Sequence, residues 1–574
     1  MFKVRFHFLA RAMLAATASL LLLPGGAVSG WAPPPSDVCA AGPGAAGRVG
    51  RPILLDGIGA YHHPVSTRSP LAQRYFDQGL VLAWGFNMGE AERSFREAAR
   101  LDSQCAMCYW GIAYALGPTI NSDMDARALR EAYRAMLTAQ SLARHATERE
   151  RAYIAALATR YAPARQRERE DLDRRYAQAM GKLSARYPGD PDAAALYADA
   201  LMNLHPWDYW DPDGTPRAWT PEIVDILERV LAGAPEHPGA NHFYIHVLEA
   251  SPHPEQALPS AERIVTLAPG AGHLVHMAAH VYLRVGRYHD VSIANQKAIE
   301  ADLAYLARTK ADPAYTVGYV AHNYHFLWFS LTMEGRGAEA AAVAAKLAGQ
   351  VDGTRLRQPR YAILQQFRAL PYFNAVRFGR WQEMLAMPRP RGDSAYQLGV
   401  WHYARGVAEA RLGRVAGAQQ ELGELERVSA RRDLERYSLK GINPLATLLQ
   451  IAIHLLRGEI ALAEGNKAMA LDQFRQAAAT EDGLEEDEPP AWPIPARYYL
   501  GAGLLAAGQA AEAEQVYRAD LKRYPENGWS LAGLTDSLSR QGKVDAARDA
   551  EARFRKAWSR ADLAGPDLPA AFRR

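Results

Sequence analysis

The 574-residue chain is short of cysteine, of strand-like runs and of net charge, and each shortage excludes something. Its 3 cysteines, Cys39, Cys105 and Cys108, are too few for a disulfide scaffold; an oxidising compartment allows them one bridge and one free thiol. "CAMCYWG" is a C-x-x-C, but Tyr109 stands where a c-type haem site needs histidine, and no βαβ pattern surrounds it. A local structural disulfide or two buried thiols is therefore expected there, ahead of redox chemistry or metal ligation. Runs of β-branched residues are nearly absent and alanine is abundant, which predicts an all-α chain. With 66 Lys and Arg against 63 acids, a formal charge of +3, there is no electrostatic case for nucleic acid. Glycine-rich phosphate loops, nucleotide motifs and a persuasive Ser-His-Asp order are also missing.

Long apolar runs are confined to the first residues. Lys3, Arg5 and Arg11 flank "AMLAATASLLLL", and small residues follow in "GGAVSG". A basic head, a short apolar middle and a small-residue exit predict a signal peptide at 1–29, hence a periplasmic or secreted protein. No later stretch is read as a span, so the mature chain is expected to be soluble. A retained signal anchor is the alternative. "SDVCA" around Cys39 lacks the context of a lipoprotein site.

At this length a chain is multidomain or a repeat array. Glycine followed by a helical run recurs at Gly286, Gly335, Gly379, Gly413, Gly465, Gly508 and Gly542, separated by 34 to 52 residues, with 34 occurring twice. Glycine suits a tight helix-to-helix turn because it accepts positive φ without a Cβ clash.

The small and aromatic positions of these units resemble the tetratricopeptide repeat (TPR) family. They are Gly79, Ala91, Phe95 and Ala98; Gly458, Ala470, Phe474 and Ala477; and Gly501, Ala513, Tyr517 and Pro525. The resemblance covers most of residues 70–560. It implies a superhelical solenoid of antiparallel helix pairs, with the first helix of each pair lining a concave groove for a protein or peptide partner. More narrowly, "YHHPVSTRSPLAQRYFDQGL" and "CAMCYWGIAYALGP" look like the opening of a family of exported bacterial TPR proteins of unassigned activity. The organisation read from the sequence is an N-terminal extended segment at 30–69, TPR-like helices at 70–236, histidine-rich repeats at 237–350, further repeats at 351–560 and a tail at 561–574. An aromatic insertion at 205–219, "HPWDYWDPDGTPRAW", reads as a plug over the groove, with a ligand-stacking lid or calcium loop as alternatives.

Histidine is what the middle of the chain has in excess. Ten of the 17 fall between His237 and His325, where an even scatter places fewer than three. Counted back from the turn, His242, His276 and His325 lie ten residues before Pro252, Gly286 and Gly335. His273 and His322 lie thirteen before their glycines; His246 and His280 lie six before their turns. Registers differing by three and four share one helical face, so these seven imidazoles are expected to face the groove and converge, without packing between helices. Glu249, three after His246 and seven after His242, joins that face as a ligand, a supporting partner or a general base.

Three readings follow: hydrogen-bonding histidines in a polar groove, a site for a transition metal (zinc, copper or iron), or an anion or peptide site using protonated imidazoles. "HFYIH" and "HMAAH" share the histidine spacing of H-E-x-x-H, but Phe243 and Met277 replace its glutamate, which disfavours a zincin-like protease. The reading taken forward is a metal-binding solenoid that also engages a partner. A metalloenzyme with an open coordination position and a metal-free adaptor are the alternatives.

Overall fold

The structure is a computed structural model that describes residues 51–163, 168–309, 315–392 and 394–563. The expected signal peptide, Cys39 and residues 564–574 of the tail lie outside them. Within the described residues, 24 α-helices follow one another as twelve antiparallel pairs, from Pro70–Trp84 with Met88–Leu101 to Gly528–Arg540 with Val544–Ala557. The strand content is one hairpin of two residues a side, Ser438–Leu439 against Asn443–Pro444. The fold is an all-α, TPR-like solenoid.

All seven turn glycines take positive φ, from 63° to 81°. At Gly286 the turn is a Schellman motif: Arg287 N–H donates to the Tyr282 carbonyl (2.8 Å) and Gly286 N–H to Leu283 (3.2 Å). The TPR-like glycines inside helices have another cause. A Cβ on Gly79 would stand 2.8 Å from the Phe95 ring, and one on Gly501 would stand 2.4 Å from Tyr517, so the small residue lets the paired helix seat its aromatic.

Three helices occupy the middle of the chain: Pro238–Leu248, Gly272–Arg284 and Ala321–Met333, here the first, second and third histidine helices. From Pro238 to Leu248, Gly272 to Leu283 and Asn323 to Met333 every residue is buried. A helix buried on all sides has neighbours on all sides. N-terminal segments cover one flank, where Gly59 abuts the Leu267 carbonyl and Asn121 donates to Tyr319 Oη (3.4 Å). C-terminal repeats cover the other, where Trp529 Nε1 donates to the Thr332 carbonyl (2.9 Å) and Gly337 N–H to Asp562 (2.9 Å). The superhelix therefore closes on itself, and the histidine helices do not line an open groove.

One further expectation changes. The helix Leu445–Ala463 is long and apolar enough to cross a membrane by length and composition, contrary to the sequence reading; its apolar faces are taken up inside the solenoid, where Leu445, Leu448, Leu449, Ile451 and Leu455 are fully buried. In the 205–219 insertion Trp207 Nε1 donates to Ile120 O (3.0 Å) and Trp210 Nε1 to Val247 O (2.6 Å). Asp208 and Asp211 pair with Arg217, at 2.8 and 2.7 Å. Cys105 and Cys108 form a disulfide at the start of the Ala106–Ala115 helix.

Candidate metal centre

His242 and His246 sit one turn apart on the first histidine helix, and Glu249 follows at its C-terminus. The second helix carries His273, His276 and His280; the third carries His322 and His325. Six of the seven histidines assemble into two groups, His242/His246/His273 and His276/His280/His322, each with ligand nitrogens within 4.8 Å of one another. Three imidazoles on one ion bring their nitrogens about 3.0–3.5 Å apart at bonds of about 2.0–2.1 Å, so small rotations suffice to close either group.

Hydrogen bonds determine which nitrogen each imidazole offers. In the first group His242 Nδ1 donates to the Trp84 carbonyl, and His246 Nδ1 faces Glu249 Oε1 at 3.2 Å. Their Nε2 atoms are buried without a hydrogen-bond partner, as are both nitrogens of His273. Buried polar atoms normally find partners, and orphans ask for a reason. In the second group Asn295 Nδ2 donates to Val291 O (2.8 Å), which turns its Oδ1 onto His276 Nδ1 at 2.7 Å. His280 Nδ1 faces two carboxylates, Glu488 at 2.7 Å and Glu249 at 3.1 Å. Both Nδ1 protons are thus committed, and the two Nε2 atoms meet at 2.9 Å. Two lone pairs at that distance repel unless a cation, a proton or a metal, lies between them. Supporting acceptors on the far nitrogen are what a metal-ligating histidine needs.

Electrostatics follow the same geometry. Burial, reinforced by neighbouring imidazoles, holds His242, His273, His276 and His322 well below the ordinary histidine range. Burial opposes protonation of His280 too, but Glu249 and Glu488 outweigh it and carry it up to about 9. Burial raises Glu488, whereas His280 and His246 hold Glu249 below the usual carboxylate range against the same burial. Neutral imidazole is the metal-binding form.

His325 joins neither group. Its ring packs against Phe367 and Trp328, at 5.3 and 6.1 Å between centroids, and burial with the nearby Lys440 lowers it to about 3. The shared register does not translate into convergence here because these two aromatics take up the His325 ring, whereas His322 on the same helix meets His276 and His280 at 4.9 and 5.7 Å. Asn241 and Asn323 point away, to the Pro235 carbonyl and to Asp302. The expectation that His276 and His280 avoid helix packing also fails: both are buried in the core.

Sequence reasoning missed Glu488, Asn295, the Trp84 carbonyl and two aromatic walls. Phe86 lies 4.6 Å from His242 and 5.8 Å from His273, and Trp207 meets His246 edge-on at 5.1 Å. Four non-glycine residues take positive φ among the described residues. Three of them, Phe86, Trp207 and Lys440, border this chamber; Lys440 Nζ donates to Asp487 Oδ1 (2.5 Å) and to the Glu488 carbonyl (3.2 Å). Backbone strain gathered at one place is a mark of function. A narrow cleft of about 10 Å³, room for about one water, reaches His273 between Asn87, Asp302, Tyr305 and Tyr315.

No family model matches the chain, and no curated protein matches it. Among solved structures, Cut9 in an APC/C hetero-tetramer with Hcn1 is similar at 12% identity and a TM-score of 0.28, over 87% of this chain and 74% of that one. The human IFIT1 dimer with m7Gppp-AAAA is similar at 12% identity and a TM-score of 0.29, over 85% and 90%. At such scores the architecture rests on the helix pairing itself.

Proposed function

We propose that this is an exported protein whose closed solenoid houses a transition metal, zinc, copper or iron, on the two histidine groups. The observation that carries the reading is the set of buried, partnerless Nε2 atoms on His242 and His246, each with its Nδ1 tied to an acceptor. Those imidazoles are held in one tautomer and aimed at a common point. The Cys105–Cys108 disulfide supports an oxidising compartment. A partner protein or peptide belongs to this reading on another face, because the histidine helices are covered.

The metalloenzyme alternative rests on the vacant position that an ion held by three imidazoles keeps; the cleft at His273 has room for about one water beside it. Metal analysis of mature protein purified without chelator or affinity tag tests the common core of both readings. About one to two ions per chain are expected, and His242→Ala/His246→Ala together with His276→Ala/His280→Ala should abolish them. Metal content near zero, with no uptake of zinc, copper or iron at pH 7.5, would sink it.

A further inference from the structure

The two histidine groups are neighbours. His273 and His276 stack with ring centroids 5.8 Å apart, and His246 lies 6.0 Å from His280. Glu249 lies between them: Oε1 accepts from His246 of the first group at 3.2 Å, and Oε2 stands in ion-pair contact with His280 of the second at 3.1 Å, while the His280 Nδ1 hydrogen bond goes to Glu488. One carboxylate therefore faces an imidazole in each group, so an ion that reorients one side shifts the charge beside the other.

Charge narrows the ion. All six donors bind a metal only as neutral imidazoles, so His280 releases its proton on binding. The carboxylates against their Nδ1 atoms are Glu249 and Glu488, two negative charges, and Lys440 is matched by Asp487. Asp302 lines the cleft, where Tyr315 Oη and Asn323 Nδ2 each donate to it at 2.8 Å. Two monovalent cations balance the two carboxylates that face the donors. Two divalent cations leave an excess of two positive charges away from water, which is costly. Imidazole suits zinc, copper, iron and nickel alike; among these copper has an accessible monovalent state, which accepts trigonal coordination.

Resting on the metal-binding reading above, we infer that the two groups form one dinuclear site for monovalent copper, coupled through Glu249 as a positioning residue. Anaerobic titration of the metal-stripped full chain with Cu(I), against bicinchoninate as competitor, tests this. Two equivalents entering in one cooperative step are expected. Glu249→Gln offers one carbonyl oxygen where the carboxylate offers two acceptors, so it should split that step in two and weaken binding by roughly 10–100-fold, with circular dichroism unchanged. One-electron oxidation of each ion by ferricyanide should then give a paramagnetic resonance signal showing coupled Cu(II), far weaker than two isolated ions or with a half-field line. One equivalent, two independent steps in the wild type, or an uncoupled signal of full intensity overturns the dinuclear site and leaves metal binding standing. Cooperative filling by two Zn(II) with Cu(I) rejected overturns the charge argument. Uptake of no metal at all removes both readings. If Glu249→Gln does not fold, the wild-type isotherm and resonance signal decide.

Discussion

Phe86 shows how a single residue ties the chamber to the backbone. Asn87 N–H donates to Leu82 O (2.9 Å) and Phe86 N–H to Ala83 O (3.1 Å), the pattern seen at Gly286. Phe86 thus holds a position where seven other turns use glycine, at φ 55°. A left-handed conformation costs a residue with a Cβ about 1–2 kcal/mol. The ring's contacts with His242, His246 and His273 offset that cost. Phe86→Ala loses the ring and keeps the strain, whereas Phe86→Gly loses both. The glycine variant should therefore be the more stable by about 1 kcal/mol, the reverse of the order inside a helix. Urea midpoints decide; an alanine variant equal to or more stable than glycine contradicts the account. At this scale the histidine register was legible because three- and four-residue spacings are local. Glu488 was not, since 208 residues separate it from His280 and no spacing rule reaches that far. The acceptor for His242 is a backbone carbonyl, which no residue type announces.

Helix ends carry the next two predictions. The Ala496–Ala506 helix follows Pro495 and has no side-chain cap of its own; Glu481 accepts from Ala496 N–H at 2.7 Å. Burial raises Glu481 to about 7 from 4.5. Below pH 4.5 it is protonated in both folded and unfolded chains. Between pH 4.5 and 7 the unfolded chain loses that proton first, so stability falls as pH rises and the penalty is complete above 7. Glu481→Gln keeps the acceptor and escapes the penalty. Its stability relative to wild type should rise by about 2–3 kcal/mol between pH 5 and 8, one pKa unit being about 1.4 kcal/mol. Denaturation curves showing a flat difference across that range would refute it. The Cys105–Cys108 bridge closes a loop of sequence separation 3, for which chain entropy predicts about 2 kcal/mol. Cys105→Ser/Cys108→Ser should lose that much in chemical denaturation and keep its metal; complete metal loss with intact helicity would make the cysteines ligands. Turn glycines were readable in advance because a helix stop is a local event. The π-helical turn before His322 and the capping by Glu481 were not, because each depends on what packs from elsewhere.

Across the whole molecule the pairing of helices was legible and the closure was not. Repeat patterns specify neighbour contacts, whereas contacts such as the Pro525 carbonyl against Gly286 join repeats far apart in sequence. Closure turns groove positions into core. Removing His276 and His280 together leaves Glu249, Glu488 and Asn295 buried with lost partners, so the double alanine variant should destabilise even the metal-free chain by about 3–5 kcal/mol. A loss below about 0.5 kcal/mol, the size of a surface change, would return these residues to an open groove. A metal bound as proposed would stabilise the whole fold, because an ion that binds only the folded chain at 100 times its Kd adds about 2.7 kcal/mol.

The central claim is that buried imidazoles, and no sulfur, hold a transition metal. X-ray absorption at the metal K-edge, on the full chain carrying its bound ion, tests it most directly. About three nitrogen neighbours near 2.0–2.1 Å are expected, with the outer-shell scattering of imidazole rings and no sulfur shell. Sulfur ligation, an oxygen-only shell without imidazole scattering, or a chain that takes up no metal to measure would contradict it.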